Sequence, residues 1–148
     1  MTEYQKPLPT PTYDTRAFWE GTKRHELLIQ KCSDCGKRQF YPRGLCIACM
    51  STNLDWVRSS GRGTVYSHTT VYRPPSPAFT PDVPYVIAIV EMEEGVRMMG
   101  NIVGCPPDQV KVGMPVTVVF EEVTETITLP KFRRQMTEDK GQKTKDKE

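Results

Sequence analysis

Cys32-Ser33-Asp34-Cys35-Gly36-Lys37, answered ten residues later by Cys46-Ile47-Ala48-Cys49, constrains this chain more than any other stretch. Each Cys-x-x-Cys turn aims two sulfurs at one point, and two such turns complete the tetrahedron of a structural zinc site. Gly36 suits the residue after the first turn, where a positive φ is often needed and glycine adopts it without Cβ strain. Met50 holds the equivalent place in the second turn and is less typical. The alternatives are a redox Cys-x-x-Cys or two disulfides. A redox pair is expected alone beside a βαβ pattern, and disulfides belong to secreted chains. Four sulfurs leave no open coordination position, so one Zn²⁺ held by Cys32, Cys35, Cys46 and Cys49 is expected to stabilise the fold without Lewis-acid chemistry.

The 148 residues make one ordinary domain or two small ones sharing a core. Thirteen prolines and 37% hydrophobic residues point to a compact body with extended ends. No run of eighteen apolar residues exists to span a membrane. Met1-Thr2-Glu3-Tyr4-Gln5-Lys6-Pro7 lacks the apolar core of a secretion signal, and with four thiols committed to metal the expected compartment is the cytoplasm. Net charge is +2, but 131–148 carries seven basic and four acidic residues, which leaves the remaining body at −1. A nucleic-acid binder of this size usually carries its basic stripe on the folded part.

The coarse pattern is mainly β. Residues 1–25 read as a proline-rich arm followed by a short helix over Arg16–Lys23, with Asp14 or Thr15 as its cap. Phe18 and Trp19 on that helix are large for so short an element. Either they pack on the neighbouring core or they anchor a partner subunit. Residues 26–58 read as a three-stranded rubredoxin-like zinc ribbon, with strands at 26–30, 39–41 and 54–57 around the two cysteine turns. Residues 59–134 change to β texture throughout. Strands are expected at 63–72, 85–90, 96–102 and 116–121, with a last one starting at 127, and a single helical turn at 106–110. Five strands with a helical insertion between the third and fourth is the order of an OB-type barrel. Residues 135–148 have almost nothing to bury and are expected to be disordered.

The loop Arg73-Pro74-Pro75-Ser76-Pro77-Ala78-Phe79-Thr80-Pro81-Asp82-Val83-Pro84 carries five prolines and one aromatic. It is expected to hold an extended shape at the barrel mouth, where Phe79 either lines a ligand site or folds back on the barrel. No catalytic residues are assigned. Cys105 precedes two prolines with no histidine nearby in sequence, and His25 and His68 fit structural roles better than a nucleophile–base pair.

The order helix, Cys-x-x-Cys ribbon, OB barrel comes with the phrases Ser60-Gly61-Arg62-Gly63-Thr64-Val65, Pro84-Tyr85-Val86 and Glu94-Gly95-Val96-Arg97. Over roughly 15–134 this combination resembles the DUF35 family of rubredoxin-like zinc-ribbon/OB-fold proteins. The resemblance implies a small accessory subunit, not catalytic alone, in a hetero-oligomer with a thiolase, an acyl-CoA aldolase or a hydratase. It also implies that the barrel lies near the partner's CoA-ester site, in a reaction such as thiolytic cleavage in aromatic or steroid acyl-CoA degradation. On that footing Phe79 would wall the acyl pocket, and Arg73, Arg97, Lys131 and Arg133 are the candidate cations for the CoA phosphates. The other reading is a nucleic-acid-binding protein, since ribbons and OB barrels both serve that purpose; the near-neutral body and the lack of an aromatic-plus-basic strand face argue against it.

Overall fold

The structure, a computed structural model, describes residues 6–135. The expected disordered tail lies, but for Gln135, outside the described residues. Helix α1 spans Arg16–Lys23, as the sequence suggests. Thr15 stands at its N-cap position, but its hydroxyl does not cap the helix; it accepts the Thr12 N–H at 2.8 Å instead, which turns the arm into the helix. The other end closes through two backbone bonds, His25 N–H to Thr22 C=O at 2.9 Å and Glu26 N–H to Gly21 C=O at 2.8 Å. That closure needs a left-handed residue, and His25 supplies it at φ 62 where glycine is usual. The His25 ring stacks on Phe120 at 5.1 Å and its Nε2 lies 3.0 Å from Glu122 Oε2. These contacts offset the backbone strain and fasten the helix end to the barrel.

The ribbon strands are β1 (Leu28–Cys32), β2 (Arg38–Gln39) and β3 (Leu54–Arg58), in the order β2-β1-β3. Pairing runs Gln30 to Gln39 on one side and Leu28 to Arg58 through Cys32 to Leu54 on the other. Strand β1 lies two residues later than expected, because the Glu26 N–H is spent closing the helix on Gly21 and Cys32 still pairs with Leu54.

The barrel contains β4 (Arg62–Val71), β5 (Tyr85–Met92), β6 (Arg97–Val103), β7 (Pro115–Glu122) and β8 (Thr128–Arg134). It closes in the order β4-β5-β6-β8-β7, with β6 and β8 parallel at Ile102/Phe132. Strand β5 lies between two neighbours, as its apolar run requires. A short 3₁₀ turn at Pro107–Gln109 sits between β6 and β7. At the closure, Gly63 lets two strands approach: a Cβ there would sit 2.5 Å from the Glu91 carbonyl oxygen. Phe132, fully buried, fills the interior beside Val65, Val90 and Val116. Phe18, Leu27 and Ile29 join the same buried cluster, so helix, ribbon and barrel share one core.

The proline-rich loop departs from expectation. It is not extended throughout but forms a 3₁₀ helix over Pro77–Asp82. Proline fixes φ near the value such a turn uses, and Pro77 at its start loses no hydrogen bond for lack of an N–H. The arm reaches this turn through an ion pair between Lys6 and Asp82.

Ribbon and barrel are joined at Ser59–Gly61 by two carboxylates of the β5–β6 turn. Glu94 accepts the Ser59 hydroxyl at 2.8 Å and the Ser60 N–H at 2.7 Å. Glu93 accepts from Ser60 Oγ at 2.9 Å and Arg62 Nε at 3.0 Å, and the Arg62 hydrogen bond holds its carboxyl below the ordinary range. Glu94→Ala is expected to destabilise the chain by about 1 kcal/mol and to make 59–61 a preferred protease site. Urea denaturation and limited proteolysis check this; an unchanged cleavage pattern would show that the carboxylate does not hold the linker.

Candidate metal centre and two cavities on the barrel

Both cysteine turns are built alike. Gly36 N–H donates to the Cys32 carbonyl and Met50 N–H to the Cys46 carbonyl, each at 2.9 Å. Both donors are left-handed, Gly36 at φ 80 and Met50 at φ 65. The second turn thus imposes on an exposed methionine the strain that the first avoids with glycine. Asp34 ties the turns together by accepting from Ser51 Oγ and from Asn53 Nδ2.

The four sulfurs lie within 4.8 Å of one another, with Cys32–Cys49 at 3.6 Å and Cys35–Cys46 at 3.5 Å. A disulfide needs about 2.05 Å, so the sulfurs are free thiols. A tetrahedral zinc with bonds of about 2.3 Å sets its sulfurs ~3.8 Å apart. The donor set and spacing therefore fit structural zinc. The N–H groups of Cys49 and Ala48, aimed at Cys46, bring that thiol down to about 6. At Cys49 the Ser51 N–H pulls the same way, but desolvation and three neighbouring sulfurs outweigh it and push the thiol up to about 12. Four crowded thiols resist losing all their protons together, and a divalent cation at their centre supplies the missing charge.

Two buried glutamines hold the second turn in place. Gln39 Nε2 donates to Gln30 Oε1 at 2.7 Å and to the Leu45 carbonyl at 3.2 Å, and Gln39 Oε1 accepts the Ile47 N–H at 2.9 Å. Gln30 exchanges bonds with the backbone of Arg43, at 2.8 and 2.9 Å. This pair takes the place of strand pairing along 43–47. Sequence reading missed it, because a glutamine facing the core looks like one facing water until the strand register is known.

Two cavities adjoin on β6 and β8, sharing Asn101, Leu129 and Lys131. The first, about 310 Å³, is an apolar groove between α1, the end of β2 and β6, lined by Phe18, Trp19, Phe40, Tyr41, Met99 and Leu129 among others. Phe18 is buried and stands edge-on to Trp19 at 4.9 Å, so it is a wall of this groove and a member of the core at once. Trp19 is half-buried, whereas Tyr41 and Met99 are 51% and 57% exposed. The second cavity, about 470 Å³, lies under the 3₁₀ turn and is lined by Phe79, Tyr85, Asn101, Ile102, Lys131 and the arm at Lys6. Phe79 rests on Tyr85 with ring centres 6.0 Å apart. Lys131 pairs with Glu121 at 2.6 Å.

Of the five residues expected at a CoA ester, the structure therefore brings Phe79 and Lys131 into one cavity. Arg73, Arg97 and Arg133 lie outside its lining. Arg97 sits over the Tyr66 ring at 3.8 Å and 3.8 Å from Glu91, on the outer barrel surface. Cys105 is half-buried against the core, His25 is taken up by Phe120 and Glu122, and His68 is exposed on β4.

Metal analysis is expected to return one zinc per chain. Gln39→Leu keeps all four ligands but leaves the Ile47 N–H and Leu45 C=O without their partner. It is expected to weaken zinc binding roughly 10- to 100-fold, measured by competition with a chromophoric chelator. Unchanged affinity would remove the glutamine pair from the account.

Residues 19–55 match the model of the ChsH2 rubredoxin-like zinc ribbon domain, and residues 56–121 that of the ChsH2 C-terminal OB-fold domain. A probable enoyl-CoA hydratase alpha subunit of Thermomonospora curvata is 39% identical over 86% of this chain, which spans only 40% of that relative's length. A DUF35 domain-containing scaffold protein of Methanocaldococcus jannaschii is 39% identical over 72% of this chain and 77% of its own. Among solved structures, a chain of the Ltp2-ChsH2(DUF35) aldolase superposes with a TM-score of 0.78 at 38% identity, covering 86% of this chain and 98% of that one. The chain belongs to the DUF35 family of zinc-ribbon and OB-fold proteins.

Proposed function

We propose that this chain is a non-catalytic subunit of an acyl-CoA enzyme complex, docking its partner through the apolar groove and placing the CoA ester beside the cavity under the 3₁₀ turn. The observation that carries the reading is the groove itself. Trp19, Tyr41 and Met99 leave apolar surface in contact with water at a position where helix, ribbon and barrel meet. Such a concave apolar site with aromatic walls suits a partner's anchor side chain. The family supports a subunit role, since relatives carry the names scaffold protein and hydratase alpha subunit, and a similar solved chain is from the Ltp2-ChsH2(DUF35) aldolase. A thiolase, aldolase or hydratase all remain within this reading, with zinc holding the ribbon wall of the groove in place. The potential nucleophiles are occupied otherwise: four of five cysteines face the metal position, and Cys105 packs against the core.

The second cavity supports the CoA-ester part. Phe79, Tyr85 and Ile102 provide apolar walls, while Asn101 and Lys131 provide polar contacts. With Lys131 already paired to Glu121, the cavity suits the uncharged part of the ester better than its phosphates.

Co-purification from the native host should bring down an acyl-CoA enzyme; recovery of nucleic acid, or of no partner, would overturn the reading. Trp19→Ala is expected to weaken assembly by about 2 kcal/mol or more, with thermal unfolding of the free subunit as control. If only the free subunit is destabilised and assembly is unchanged, Trp19 serves its own core alone. Phe79→Ala is expected to raise the KM for the CoA ester roughly tenfold in the assembled complex while zinc content and assembly stay intact. Unchanged kinetics would reduce this cavity to a structural feature.

A further inference from the structure

Every residue from Lys6 to Pro11 is a proline or stands before one, in the order Lys6-Pro7-Leu8-Pro9-Thr10-Pro11. Proline fixes φ, and the residue ahead of it is held to extended backbone, so this stretch is a stiff rod about 19 Å long. Among the described residues, 7–11 take part in no hydrogen bond. Polar contacts hold the rod at its two ends. At one, the Thr12 N–H donates to Thr15 Oγ1 and the Arg16 N–H donates to the Thr12 carbonyl, each at 2.8 Å, which joins the rod to helix α1. At the other, Lys6 reaches the 3₁₀ turn across 76 residues of sequence. It pairs with Asp82, and its Nζ lies 5.8 Å from the centre of the Phe79 ring.

Both sides of this latch belong to one cavity. Lys6 and Pro7 line the cavity of about 470 Å³ together with Phe79, Asp82 and, from β6, Ile102 and Val103. The latch is thus part of the cavity wall, and parting it opens the wall. It is also weak. Lys6 and Asp82 keep 21% and 40% of their side chains exposed, so water and salt screen the pair. An exposed ion pair and an exposed cation–π contact together favour closure only about tenfold. A flexible arm of equal length would lose more entropy on closing, and so weak a latch would not hold it.

We propose that residues 6–11 form a strap that closes this cavity, hinged at Thr12–Thr15 and latched by Lys6 on the 3₁₀ turn. Closed, the strap completes the wall. Open, it admits a ligand to the apolar surface of Phe79, Tyr85 and Ile102. Because the rod is stiff, breaking the latch frees the whole strap at once and does not merely fray its first residue. The strap gates the cavity whatever its ligand. It goes beyond the CoA-ester reading and does not rest on it, because access to the cavity is measured on the chain alone.

NMR relaxation of the full zinc-loaded chain tests this. In the wild type the Leu8 and Thr10 amides are expected to keep order parameters above about 0.6, and to fall below that value in Lys6→Glu. Gadodiamide, a neutral paramagnetic probe, reads access to the Ile102 and Val103 methyls, which line this cavity and not the apolar groove. Lys6→Glu sets two carboxylates against each other. It is expected to raise the methyl relaxation enhancement about fivefold, as the open fraction grows from roughly a tenth to a half or more. Raising NaCl from about 0.05 M to about 1 M should raise it in the wild type as well. Adding Asp82→Lys to Lys6→Glu restores an opposite pair and should return both readings toward wild type, which a merely disturbed fold would not do. A wild-type arm already below about 0.6 overturns the proposal, as does methyl relaxation unmoved by Lys6→Glu or a double variant that fails to recover.

Discussion

Four sulfurs within 4.8 Å of one another are the constraint on which the ribbon depends. Strand β2 is only two residues long, so strand pairing alone offers little to hold the ribbon. The metal draws two turns together, and Asp34 and the glutamine pair fix the segments between them. From that frame the chain emerges at Phe40 and Tyr41, whose rings stand 4.6 Å apart and wall the apolar groove. Loss of the metal is thus expected to cost the groove the shape of its ribbon wall, at Phe40 and Tyr41.

The barrel supplies the opposite wall and the rigidity. Phe132 fills its interior, and the same buried cluster runs into Phe18, Leu27 and Ile29, so ribbon and helix cannot move independently of it without exposing apolar surface. Polar links reinforce this at two distant points. Glu93 and Glu94 hold the linker between ribbon and barrel, and His25 joins the helix end to β7 through Phe120 and Glu122. Such stiffness suits the subunit role proposed above, since a mobile docking face would lose affinity to the entropy of ordering it.

Much of this architecture is legible in the sequence because its signals are local. The cysteine spacing gives the metal set, and the β-branched runs give strands to within a few residues. What the sequence hides is chemistry set by register or by distant contact. Gln30 and Gln39 look like surface residues until strand pairing puts them opposite each other in the interior. His25 is an unremarked residue until the helix closure demands a left-handed backbone there. The prolines of 73–84 read as an extended loop, but the φ they fix serves a 3₁₀ turn nearly as well, and Pro77–Asp82 forms one. Likewise, cations on the neighbouring strands β6 and β8 separate once the barrel curves. Arg97 turns to Tyr66, whereas Lys131 turns to Glu121 at the cavity.

The central claim is that zinc-held ribbon, helix and barrel together present one face to an acyl-CoA enzyme. Hydrogen–deuterium exchange of the chain alone and in the assembled complex tests it most directly. The account predicts new protection at 15–19, 40–42 and 98–101, the segments that line the groove, and little change along the solvent side of β7. Protection confined to other surfaces, with the groove segments exchanging as in the free chain, would contradict it.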